Sequence, residues 1–245
     1  MKLTSAQIWD ISADVFHNPK YRKEYVRLLS VIIGPKDRSI LDTACGTGFP
    51  SIDLIKSGYK NMTCSDGDPG RVKMLKERLK KENLKIPVIC DKWQAMRTDK
   101  KFDAVLNSDN SLVYMDSWSG GHIKRNAFKR LSLVLGNFYE LLNKNGMLIV
   151  ALAKNNAKEN SELDINLGLT DRGEGVIWRL NFDWKNRIKT ARMKVVAGGT
   201  TYERLIESYL LTKEELSELM ANSKFRDVKI FSSPGIYDDI LVGYK

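Results

Sequence analysis

The apolar positions of the chain change period several times, and each change marks an element. In YRKEYVRLLSVII (21–33), Tyr25, Leu28, Leu29, Ile32 and Ile33 recur at helical spacing on one face. Gly34 and Pro35 end that helix. SILDTA (39–44) reads as a buried strand, the stretch from Pro50 to Ser57 as a short helix, and NMTCSD (61–66) as a second strand. A helix over 69–83 opens on Pro69, at a first-turn position where a missing N–H is harmless. IPVIC (86–90) and FDAVLNS (102–108) are the third and fourth strands. From Ile123 to Leu142 a long helix is expected to bury Phe128, Leu131, Leu135, Phe138 and Leu142. Asn145-Gly146 then turns the chain into a fifth strand, MLIVALA (147–153). Strands and helices in alternation imply an α/β protein with a parallel, doubly wound sheet covered on both faces.

Beyond residue 155 the rhythm becomes that of consecutive strands. GVIWRLNFDW, IKTARMKVVA and TTYERLIESYLL follow one another, with turns at Lys185-Asn186-Arg187 and Gly198-Gly199. This predicts an antiparallel extension laid over the sheet. TKEELSELMANS begins with Thr212 and Glu215, the spacing of a capping box, so it is helical. DVKIFSS and DILVGY close the chain as two more strands.

Composition narrows the class. A length of 245 residues with 42% hydrophobic content fits one folded domain, or one domain carrying a subdomain. No stretch reaches the roughly 18 apolar residues of a membrane span, and MKLTSAQIWDISADVF lacks a signal-peptide block. A cytoplasmic protein is expected. Cys45, Cys64 and Cys90 are odd in number, lack CxxC spacing and read as free, buried thiols. His17 and His122 have no companion at metal-ligand spacing, so no metal is expected. The balance of 40 basic and 30 acidic residues, +10, raises nucleic acid as a partner. Lysine-coated solvated helices such as KMLKERLKKENLK account for it more simply.

The chemistry concentrates in LDTACGTGFP (41–50), between the first strand and its helix. Ligands of open α/β sheets bind at the carboxyl ends of strands, where glycine lets backbone approach closely. A dinucleotide fingerprint would have Gly or Ala where Ser51 stands, and a phosphate loop would need Gly-Lys-Ser/Thr. What remains is an adenosyl ligand without phosphates. Asp66, at the end of the second strand and 18 residues past Gly48, is placed to accept two ribose hydroxyls.

LDTACGTG followed by CSDGDP resembles the class I S-adenosylmethionine-dependent methyltransferases, over nearly the whole chain. The resemblance implies a Rossmann-like sheet of seven strands, S-adenosyl-L-methionine as cofactor and S-adenosyl-L-homocysteine as product. Within the class, DKW (91–93), FDAVLNSDNSLVYM (102–115) and the pair QIWDI and YRKEY resemble the glycine N-methyltransferase and glycine/sarcosine N-methyltransferase group. The implied organisation is an N-terminal lid and helix (1–38), a cofactor-binding core (39–155), a substrate roof (156–211), and a C-terminal helix with the last core strands (212–245). Cofactor-binding candidates are Asp42, Ala44, Gly46, Gly48, Asp66, Gly67, Asp91, Lys92, Trp93, Ser108 and Asp109, with Trp9 and Arg22 from the lid. Asp42 either braces the loop or touches the methionine amino group; Trp93 and Trp9 are either ligand contacts or core.

Methyl transfer from a sulfonium needs a neutral amine held in line, which is a matter of proximity and orientation. Asn110, Ser111 and Tyr114 are the candidates for orienting it. Group members acting on glycine carry an Arg after the fifth strand, whereas here VALAKNNAKEN offers Lys154. Substrate-binding candidates are therefore Asn110 and Lys154, with Arg179, Arg204 and Tyr209 from the extension. The acceptor expected is a small amine or amino acid of the glycine, sarcosine or dimethylglycine type. A nucleic-acid methyltransferase and a non-catalytic cofactor-binding protein are the rival readings, and a homo-oligomer remains open.

Overall fold

A computed structural model describes residues 3–96, 98–118, 122–124, 126–154, 159–170 and 173–245. In chain order the elements are α1 (Ser5–Phe16), α2 (Pro19–Ile33), β1 (Ile40–Asp42), α3 (Ser51–Lys56), β2 (Met62–Asp66), α4 (Pro69–Lys81), β3 (Val88–Cys90) and β4 (Phe102–Asn107). A 3-10 turn (Ser111–Tyr114) follows, then α5 (Ala127–Leu141), β5 (Leu142–Ala153), β6 (Ser161–Leu169), β7 (Gly175–Asp183), β8 (Ile188–Ala197), β9 (Thr200–Tyr209), α6 (Lys213–Asn222), β10 (Arg226–Ser232) and β11 (Asp238–Tyr244). They divide into two units. The smaller comprises Met1–Arg22, Val113–Arg125 and Asn155–Leu211; the larger comprises Lys23–Leu112, Asn126–Lys154 and Thr212–Lys245. The expected boundary at 155/156 lies outside the described residues.

The larger unit holds a seven-stranded sheet in the order β10-β11-β5-β4-β1-β2-β3. β1 to β5 run parallel, and β11 is antiparallel to both β5 and β10. Every residue of β1 and β2 is buried, as expected of central strands covered on both faces. Leu131, Val134, Leu135 and Phe138 of α5 are fully buried. The helix starts later than its apolar spacing suggests, because Asn126 adopts a left-handed φ of 67° and cannot begin an α-helical turn. Phe128, expected in the core, is 40% exposed in the first turn. Cys90, expected to be buried, is exposed at the end of the edge strand β3.

The smaller unit holds a four-stranded antiparallel sheet, β6-β7-β8-β9. The Gly198-Gly199 turn between β8 and β9 uses positive φ at both residues, 54° and 73°, as a two-residue hairpin requires. Strand β6 was not foreseen from the sequence. α1 was not foreseen either, although Thr4 and Gln7 form a reciprocal capping box.

A second capping box, between Thr212 and Glu215, starts α6, whose Leu216 and Met220 are fully buried. Thr212→Ala should lower unfolding free energy by about 1 kcal/mol. Urea denaturation would show this as a lower midpoint at an unchanged slope.

Candidate active site

The candidate site is built at the carboxyl ends of β1, β2 and β4. Asp42, the last residue of β1, is wholly buried. One carboxylate oxygen accepts the Ala44 N–H at 3.1 Å, the other the Ser51 hydroxyl at 2.6 Å. The residue that departs from the dinucleotide fingerprint is thus the one that ties the start of α3 to the end of β1. Of the two roles left open for Asp42, bracing is the one its hydrogen bonds show. Burial, the largest influence, lifts the Asp42 carboxyl from 3.8 to about 7, against the Ser51 and Ala44 hydrogen bonds that favour its charged form.

Between these anchors the loop bends sharply. Gly48 has φ 126°, and a Cβ there would lie 2.4 Å from Ile52 Cδ1, so only glycine fits. Gly46 has φ 51°, and a Cβ there would meet nothing within 4 Å, which leaves its backbone open to close approach. Beneath the loop, Cys45 and Cys64 pack with Ile52, Leu75 and Leu79. The Cys45 thiol is raised well above its ordinary range by its hydrogen bond with Cys64 and by burial, which suits packing rather than reactivity.

Asp66, ending β2, fastens the loop from the neighbouring strand. It accepts the Gly46 N–H at 3.0 Å and the Asp68 N–H at 2.8 Å. Burial raises its pKa, opposed by Arg71 and by these two N–H groups. The Gly67 Cα lies close against the Asp91-Lys92 backbone, where a Cβ would meet Lys92 Cγ at 3.4 Å and the Asp91 carbonyl at 3.6 Å. The Lys92 N–H donates to the Asp91 carboxylate, and the Lys92 side chain is exposed. Trp93 is 7% exposed, donates its indole N–H to the Thr43 carbonyl at 2.5 Å and meets Phe138 edge-on at 6.2 Å. Its N–H and ring therefore do a packing job.

At the end of β4 the chain turns through Asp109 and Asn110, both left-handed with φ of 58° and 53°. The Ser111 N–H donates to the Ser108 carbonyl, and Asn110 Oδ1 accepts the Ala153 N–H at 3.0 Å, pinning the turn to β5. Asn107 Oδ1 and Ser108 Oγ are buried there without a partner among the described residues, as is Ser65 Oγ on β2. Unmatched buried polar atoms beside an open glycine loop fit a bound polar ligand. Tyr25, read from the sequence as core only, also reaches this turn. Burial, together with the nearby charges of Asp238 and Asp109, holds its phenol well above the usual range.

Lys154 does not present a free cation. Its ammonium donates to the Ser233 and Ile236 carbonyls, both at 2.7 Å, and closes the β10–β11 connection. Two of its three N–H donors are thereby taken up within the larger unit.

In the smaller unit, Trp9 lies 4.9 Å from Trp118 (edge-on), 5.6 Å from Trp178 and 6.3 Å from Tyr114. Arg22 donates to the His17 carbonyl and lies 3.7 Å from Asp14. Tyr209 donates to the Asp116 carboxylate and to the Lys124 carbonyl. Two substrate-binding candidates have partners within this unit. Arg179 alternates with buried Trp178 and Leu180, so it points to the exposed face, where it pairs with Asp164 at 2.7 Å and 2.8 Å. Arg204 is held by backbone, donating to the Ser5 and Trp118 carbonyls. Among the described residues, no group of three or more His, Cys, Asp or Glu could hold a metal, and no helix is long and apolar enough to cross a membrane.

Comparisons with known proteins agree with the loop. Residues 40–146 match the model of the methyltransferase domain family. A glycine/sarcosine N-methyltransferase of Parasynechococcus marenigrum (strain WH8102) is 29% identical over 115 residues, 46% of this chain and 37% of that protein, so the match spans little over a third of the relative. Among solved structures, Streptomyces venezuelae DesVI superposes with a TM-score of 0.73 at 15% identity, covering 99% of both chains. CalS10 of Micromonospora echinaspora, an amino pentose methyltransferase with S-adenosylmethionine bound, gives 0.71 at 11% identity over 100% of this chain and 99% of its own.

The buried Asp42 carboxyl makes a pH-dependent contribution. Its folded pKa of about 7 lies above the unfolded value near 3.8, so this stability is complete below the unfolded pKa and lost as pH rises through about 7. Asp42→Asn, which keeps an acceptor for Ala44, should abolish that decline, on the order of 4 kcal/mol between the extremes. Denaturant titrations of both proteins from pH 4 to 8 measure it; parallel profiles would remove Asp42 as the cause.

Proposed function

We propose that the chain is a class I S-adenosylmethionine-dependent methyltransferase, as its match to the methyltransferase domain family and its fold support, and that with S-adenosyl-L-methionine as cofactor it methylates the nitrogen of a small amine or amino acid, of the glycine, sarcosine or dimethylglycine type. The observation that carries the cofactor half is the closure of the glycine loop by Asp66, which fixes Gly46 while leaving its Cα side open. The relative acting on glycine and sarcosine, and a fold neighbour acting on an amino pentose, support the acceptor class.

In this reading Gly46, Gly48 and Ala44 line the methionine portion, with Asp42 behind them as brace. Asp66 accepts the ribose hydroxyls through the remaining lone pairs of its carboxylate. Asp91 and Lys92 border the adenine amino group. S-adenosyl-L-methionine supplies an electrophilic methyl group on a sulfonium and leaves as S-adenosyl-L-homocysteine. The acceptor nitrogen must arrive with its lone pair free, because an ammonium cannot attack. Ser108, Asp109, Asn110 and Ser111 border the acceptor. The Asn107 and Ser108 side-chain oxygens can accept an N–H and turn the lone pair towards the methyl group. Orientation in a preformed turn is the chief contribution of these residues. The new ammonium releases its extra proton to water.

Two measurements test this. Calorimetry should detect S-adenosyl-L-homocysteine binding, and Asp66→Ala should weaken it by roughly 1–3 kcal/mol as its hydrogen-bonding partners go unmatched; unchanged affinity would remove Asp66 from the site. Labelled methyl donor should mark glycine, sarcosine, dimethylglycine or a small amino sugar, with a weak response to salt. Label confined to RNA or DNA, and lost steeply as salt rises, would make nucleic acid the acceptor.

A further inference from the structure

Within the larger unit, the side formed by α4 and β3 carries a surface that the cofactor reading leaves unused. In sequence, KMLKERLKKENLK (73–85) looks like a helix coated with solvated lysines. In the fold it borders two adjacent depressions, of about 510 Å³ and about 370 Å³, and Lys76 and Lys80 line both. Lys73 adds a cation to the larger depression and Lys85 one to the smaller. All four are exposed, and among the described residues none has an ion-pair partner. Glu77 is the one carboxylate in either lining.

Between the lysines the lining is apolar. Pro69, Val72 and Cys90 contribute to the larger depression, and Leu79, Leu84, Ile86 and Val88 to the smaller. Leu79 is buried in the cluster that includes Cys45 of the glycine loop, and Leu84, Ile86 and Val88 pack half-buried against that cluster. Solvation accounts for the lysines but not for aliphatic side chains left half-exposed among them. The sheet also ends here, because β3 has β2 on one side and no strand on the other. The Pro87 carbonyl accepts the Cys64 N–H and so faces β2; alternation turns the N–H and C=O of Val88 to the open side. Such an edge is a template for an added strand. From Pro69 to Lys80, α4 rises about 16 Å, the span of about five extended residues.

These features narrow the occupant. A second copy of the chain would bring a further net charge of +10 to a cationic surface. Neither lining holds an aromatic ring or an arginine, the groups that stack on bases and read their edges. We propose that the α4–β3 groove binds an extended acidic segment of a partner protein, with apolar side chains among its carboxylates. The carboxylates meet the lysine row, the apolar side chains fill the two depressions, and the backbone pairs with the open edge of β3.

The test measures fluorescence anisotropy of a labelled peptide repeating Glu-Glu-Val-Val, which presents both kinds of side chain on each face of a strand. Its controls are a Glu-Glu-Ser-Ser peptide of equal length and charge, and an oligouridylate. The Glu-Glu-Val-Val peptide should bind saturably, about 10-fold more tightly than the Glu-Glu-Ser-Ser peptide, which lacks apolar side chains to bury, and more tightly than the oligouridylate. Lys76→Gln with Lys80→Gln should weaken it about fivefold, and Lys76→Glu with Lys80→Glu further, at unchanged melting temperature because both side chains are exposed. Hydrogen exchange over residues 84–90 should slow when the peptide is bound, as the Val88 N–H gains an acceptor. Absence of saturable binding overturns the proposal. Equal binding of the Glu-Glu-Ser-Ser peptide leaves a solvated charged face and also overturns it. Affinity unchanged in the Gln variant, or exchange unchanged over 84–90, puts the peptide elsewhere on the basic surface, with the same consequence. Tighter binding of the oligouridylate replaces the protein partner with nucleic acid. Methylation enters none of these readouts, so they stand or fall apart from the N-methyltransferase reading.

Discussion

The buried carboxylate of Asp42 is the constraint on which the candidate cofactor site depends. It accepts one hydrogen bond from the loop and one from the first residue of α3, so it ties β1, the glycine loop and the helix together. Asp66 repeats the device from the adjacent strand, and the Trp93 indole supports Thr43 from the side of α5. A loop with two left-handed glycines would otherwise be the softest part of the sheet edge, because glycine loses most conformational freedom on folding. Its order is imposed by side chains outside the glycine motif. Burying Asp42 opposes its ionisation, as the lifted pKa records, and that cost is offset by hydrogen bonds that settle the loop before any ligand arrives.

How much of this could be read from the sequence depended on where each residue sits. The parallel strands were legible because both faces are covered, giving unbroken apolar runs such as MLIVALA. The Gly-Gly turn and the Thr212 cap were legible because their chemistry is local. Strand β6 was hidden because it is an edge strand whose Glu162, Asp164 and Asn166 dilute the alternation of Leu163 and Ile165. Phe128 has the right spacing for a core position but falls in the first turn of α5, where it is exposed.

The site shows the same division. Glycines and Asp66 stood out as a motif, whereas the partner of each polar group is a matter of tertiary register. Nothing local says that the Lys154 ammonium is taken up by the Ser233 and Ile236 carbonyls, or that Arg179 lies on the outer face. The phase of IKTARMKVVA did carry a signal: Lys189 is in step with Ala191, Met193 and Val195, so a charged residue stands in an apolar register. Phase therefore identifies an out-of-place charge more reliably than proximity in sequence identifies a working one.

We propose that the Asp42–Ser51 and Asp66–Gly46 hydrogen bonds preform a cradle for the adenosyl group. A crystal structure of the protein with S-adenosyl-L-homocysteine tests it most directly. Both ribose hydroxyls should lie within hydrogen-bonding distance of the Asp66 carboxylate, with the glycine loop in its present conformation and the Asp42–Ser51 bond intact. A ribose bound away from Asp66, or a loop rebuilt around the ligand with Asp42 released from Ser51, would contradict it.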